Sequence, residues 1–126
     1  MSDNVNSAYL DGIKAFGAGD HEAAVGHYDR ALEMDPDNVD VLNAKAMALM
    51  HLERLDDAIA TAQRVGELDP EDPMVHTSLS MFYQRKGMID EAEAEAAQHR
   101  LKSWRQELKQ NPGAPPPDDS GFNVIQ

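Results

Sequence analysis

The chain has 126 residues, with 23 acidic against 11 basic side chains and a formal net charge of -12, a balance that makes nucleic acid and anionic membranes poor partners. It contains no cysteine, which excludes disulfides and thiol catalysis, and no run of about 20 apolar residues that would span a bilayer. Its length suits one small domain.

The first residues, Met1, Ser2, Asp3 and Asn4, lack the basic-then-apolar pattern of a signal peptide, so the expected location is cytoplasmic. Ala8, Gly12 and Ala15 then fall at i, i+4 and i+7, one face of a first helix. Gly19 supplies a turn where a left-handed backbone suits a residue without Cβ. A second helix starts near Asp20, whose charge suits the positive end of the helix dipole, and it stops at Asp35-Pro36.

The same grammar returns after 34 residues. Leu42, Ala46 and Leu49 mark a third helix, Glu53 stands where Gly19 stood, Asp56 opens a fourth helix, and Asp69-Pro70 ends it. His76, Ser80 and Tyr83 mark a fifth helix, Gly87 a turn, and Asp90 the start of a sixth. Arg30/Arg64, Glu33/Glu67, Asp35/Asp69 and the series Ala24, Ala58, Ala92 keep the same spacing. A period of this length is the signature of stacked helical pairs, here residues 5–38, 39–72 and 73–106. In the third unit Trp104 stands where Pro36 and Pro70 stood, so nothing stops the helix. Leu101, Trp104 and Leu108 carry it to about Gln110, where it caps the stack. Trp104 is expected to cover the open end; the alternative is an anchor in a homodimer or partner interface.

From Asn111 to Asp119 the expectation is a Pro-rich linker, neither helix nor central strand. Beyond it, Phe122, Val124 and Ile125 form an apolar motif within reach of a groove in cis or in trans. The expected domain is 1–110, with 111–126 as linker and tail.

On these residues the chain resembles the tetratricopeptide repeat proteins, with three repeats. The resemblance implies an all-α fold, three helix-turn-helix units in a right-handed superhelix. The small residue on each first helix is Gly12, Ala46 or Ser80, and the one on each second helix is Ala24, Ala58 or Ala92. The aromatic that the family places on the second helix is Tyr28 in the first unit but Ala62 and Ala96 afterwards, so the third unit departs most from the pattern.

The resemblance further implies that the first helices line a concave face. The first unit would supply Asn6, Tyr9, Ile13, Phe16 and Gly17; the second Asp40, Asn43, Met47, Met50 and His51; the third Met74, Thr77, Met81, Gln84 and Arg85. Apolar side chains at outward positions suggest a patch made to be covered, and methionine suits adaptable contact with apolar peptide side chains. For Met47 and Met81, packing between neighbouring first helices is an equal alternative. Family members that clamp the C-terminal carboxylate of heat-shock chaperones use Lys, Arg and Asn at places where this chain has Tyr9, Ile13, Ala44, Met74 and Ser78. Without a basic group a carboxylate would lose its hydration uncompensated. The apolar groove is more similar to that of the three-repeat chaperones of bacterial secretion systems.

No phosphate loop, nucleophile elbow or histidine-carboxylate metal motif occurs, and no nucleophile, base and oxyanion set can be assembled. His21 and His27 read as surface histidines, and His76 and His99 as packed or half-buried. Charge is uneven: 16 acidic and 5 basic side chains over residues 1–72, 7 and 6 over 73–126. A basic segment would be steered toward the first two repeats. The expectation is a non-enzymatic adaptor or chaperone-like scaffold, without metal or cofactor, that binds an apolar or basic peptide segment of a protein partner. The competing expectation is a self-assembling repeat protein that forms homo-oligomers.

Overall fold

A computed structural model describes residues 4–117; the Phe122, Val124 and Ile125 motif lies outside them. Six helices, and no strand among the described residues, follow in order: α1 (Val5–Gly17), α2 (His21–Met34), α3 (Val39–His51), α4 (Leu55–Leu68), α5 (Met74–Lys86) and α6 (Ile89–Gln110). Each packs on the next in sequence, and α1 also touches α3. This all-α helical repeat is the fold class expected from the 34-residue period.

Local signals account for the helix ends. Asn4 caps α1 through Ser7 N–H at 2.8 Å, with Ser7 Oγ returned to the Asn4 N–H at 3.1 Å. Asp20 and Asn38 cap α2 and α3 through the N–H groups of Ala23 and Val41, both at 3.1 Å. Asp56 and Asp57, and Asp90 and Glu91, lie within the first turns of α4 and α6 and face the positive ends of those helices. Gly19 (φ 82°) and Gly87 (φ 81°) are left-handed, and Glu53 (φ 59°) adopts the same conformation. The turn between α3 and α4 thus keeps its geometry with a residue that resists it.

The small residues permit close approach within each pair. Ala8, Ala24, Ala58 and Ala92 are at most 2% exposed, and Tyr28 fills the space over Gly12. Val41, Leu49, Val65 and Phe82 continue the core through the middle of the stack. Successive units are also joined by exposed ion pairs, Arg64 to Asp37 at 2.6 Å, Arg85 to Glu53 and Lys86 to Asp56. Each is worth little alone.

The third unit closes differently. Lys102 Nζ donates to the Pro70 carbonyl and Gln106 Nε2 to that of Glu71 at 2.9 Å, holding α6 against the loop that precedes α5. Beyond α6, the expected linker is no free spacer over its described part. Asn111 to Ala114 form a turn closed by Ala114 N–H to Asn111 O at 2.9 Å, and Ala114 is 5% exposed. Trp104 Nε1–H donates to the Ala114 carbonyl at 3.0 Å, so the half-buried indole is covered by the chain's own return.

Candidate functional site

Where α1 faces α3, the side chains of Ile13, Phe16, Tyr28, Ala44 and Met47 surround an open apolar pocket of about 300 Å³. Its sides follow from the repeat. Ile13 and Phe16 sit one turn apart on α1, Ala44 and Met47 one turn apart on α3, and Tyr28 rises from α2 between them. Ala44 leaves room, because a larger residue there would fill the space. Ile13 is 43% exposed although nothing in folding requires an apolar residue there. The phenol of Tyr28 is held above its ordinary value, chiefly by burial and secondarily by Tyr9, whose ring centroid lies 6.1 Å away.

The other expected groove residues divide. Tyr9, Met47 and Met81 are half-buried and pack against the core, Asn43 is half-buried, and Thr77, Gln84 and Arg85 are exposed; Met74 is 57% exposed. Met50 is a correction. At 5% exposure it is part of the core, on a helix that packs against both α2 and α4.

His51 has a role that sequence spacing did not indicate. Its ring stacks on His21 at 4.6 Å and 13°, and Phe16 stands edge-on to both, at 5.2 Å from His51 and 4.8 Å from His21. The expectation of a surface His21 is therefore corrected: it is half-buried, with Nδ1 buried and without a hydrogen-bond partner. The start of α2 and the end of α3 bring these rings together, a juxtaposition absent from local sequence. In the third unit, His76 Nδ1–H donates to Glu95 at 2.6 Å, and His99 Nδ1–H to the Pro73 carbonyl at 3.0 Å.

A second open pocket, of about 320 Å³, lies between α5 and α6 and is lined by Thr77, Ser80, Met81, Gln84, Ala96, His99 and Arg100. Among the described residues no group of three or more His, Cys, Asp or Glu side chains could hold a metal ion. No helix among them is long and apolar enough to cross a membrane.

Comparison with known proteins finds relatives and solved structures that resemble the chain. The chain is 33% identical over 88 residues to the STIP1 homolog of Dictyostelium discoideum, and 30% identical over 121 residues to the Hsp70-Hsp90 organizing protein of Triticum aestivum. These alignments take in 64% and 88% of this chain but 16% and 20% of the relatives. A solved structure of a MamA point mutant superposes with a TM-score of 0.73 at 25% identity, covering 81% of this chain and 74% of that one. The tetratricopeptide repeat profile matches residues 15–82, more than half of the sequence, and the chain belongs to the tetratricopeptide repeat family.

Proposed function

We propose that the chain is a protein-interaction adaptor that holds an apolar segment of a partner polypeptide across α1 and α3, with one large side chain seated in the Ile13, Phe16, Ala44 and Met47 pocket. The observation that carries this reading is the pocket itself: apolar, open, and bordered by the exposed Ile13. Burying a side chain of leucine or methionine size there gives about 1.5–3 kcal/mol, suited to an anchor residue. The relative named for organizing Hsp70 and Hsp90 favours a partner of the chaperone class. Tyr9, Ile13, Ala44, Met74 and Ser78 provide no cation for a terminal carboxylate, so a partner would be read through internal apolar side chains. The surplus of carboxylates over residues 1–72 favours a segment with basic flanks.

Selection from a displayed library of random peptides tests this. Binders should share one large apolar residue beside basic ones, and Met47→Glu, which puts a charge into the pocket, should abolish their capture. Enrichment of acidic sequences that depend on a free C-terminus would overturn it.

A further inference from the structure

The third unit has a pocket of its own between α5 and α6. In the first unit Tyr28 lies over Gly12 and is 2% exposed. The corresponding residues of the third unit, Ala96 and Ser80, carry no ring, and both line an open space of about 320 Å³ together with Met81 and Arg100. Ser80 Oγ–H donates to the Ala92 carbonyl at 2.9 Å.

The path of the chain leads to this opening. Past the turn at Asn111–Ala114, Pro115 and Pro117 run back along α6 and line a cleft with His99, Arg100 and Trp104. His99 and Arg100 line both spaces, so the cleft beside Pro115 and Pro117 adjoins the third-unit pocket. The next residues are Asp118, Asp119, Ser120, Gly121 and Phe122. Five residues extend about 17 Å, enough to carry Phe122 past the shared residues.

We propose that the third-unit pocket receives Phe122 of the same chain, its ring lying against Met81 and Ala96. The C-terminal segment then occupies one end of the groove and restricts the length of partner that can lie along it. The site is separate from the pocket of the first two units, and its failure would leave the adaptor reading intact.

Methyl resonances of Met81 and Ala96, followed in the full-length chain labelled on methionine and alanine methyl groups, test this directly. A docked ring shifts them, so Phe122→Ser should move both, leave Met47 in place, and do so equally at all protein concentrations. Unmoved Met81 and Ala96 methyls would overturn the proposal. So would a movement seen only at concentrations where sedimentation shows a dimer, since the occupant would then be a second copy.

Discussion

Gly12 lies directly beneath the ring of Tyr28: a Cβ on Gly12 would stand 2.3 Å from Tyr28 Cε1 and 2.5 Å from Cδ1. Alanine ordinarily stabilises a helix interior by about 1 kcal/mol over glycine, but here it must displace a ring that is 2% exposed. Gly12→Ala should therefore destabilise the fold by about 1–3 kcal/mol. Gly26, an exposed helical glycine with nothing near its would-be Cβ, is the control. Gly26→Ala should stabilise by about 0.5–1 kcal/mol in urea unfolding. Shifts of the same sign for the two variants would refute the packing argument.

Glu53 occupies a left-handed conformation, φ 59°, that its counterparts Gly19 and Gly87 adopt freely. The strain is about 1–2 kcal/mol. In a glycine variant its release is partly offset by the greater freedom of the unfolded chain and by loss of the exposed pair with Arg85. Glu53→Gly should raise stability by about 0.5–1 kcal/mol, the strain relieved less the chain entropy lost on folding. Glu53→Ala, which keeps the strain and loses the pair, should lower it. Thermal midpoints of the two variants give the comparison.

Met50 and Ile13 separate core from groove. Met50→Ala should cost about 2–5 kcal/mol in folding, since the side chain is 5% exposed among packed neighbours. Ile13→Ala, at a position 43% exposed, should cost less than about 1 kcal/mol. Equal losses would place Ile13 in the core and remove the pocket's rim.

The Tyr28 phenol is raised above its ordinary value, first by burial and then by Tyr9. The folded state therefore favours the neutral form. Its contribution is fully present below the unfolded value near 10 and is lost as pH rises through that value toward the higher folded one. Tyr28→Phe should weaken the loss of stability above about pH 10, a slope measurable in urea titrations at increasing alkalinity. An identical alkaline slope in both proteins would contradict it.

Trp104 is the single tryptophan of the chain, which makes its cover easy to read. Removing residues beyond Gln110 takes away Ala114, Pro115 and Pro117 and leaves the indole N–H without the Ala114 carbonyl. Fluorescence emission should move to longer wavelength while the helical circular dichroism stays. An unmoved emission maximum would show that the return segment does not shield the ring.

The repeat is legible in the sequence because its signals are local and recur: small residues at fixed spacing, prolines after Asp35 and Asp69, and glycines in two of three turns. Met50 departs from expectation because the middle first helix has neighbours on both sides, and spacing along one helix does not show how much of it they cover. The His21 and His51 stack joins two helices through a tertiary contact, and the fold-back of Ala114 onto Trp104 rests on one turn in a segment that composition alone reads as extended. The absence of the aromatic at Ala96 is visible as a departure from the repeat, but the same departure at buried Ala62 leaves no comparable space, so the pocket depends on how α5 and α6 pack.

The central claim is that the pocket between α1 and α3 holds a partner side chain. The most direct measurement is calorimetric titration of a library-selected peptide into the full chain and into the Ile13→Ala, Met47→Ala double variant, with thermal unfolding of both proteins recorded in parallel. The account predicts binding weakened roughly thirtyfold or more, about 2 kcal/mol, in a protein whose melting point falls with the truncation of half-buried Met47 but which stays folded at the titration temperature. Unchanged affinity in a folded double variant would contradict it.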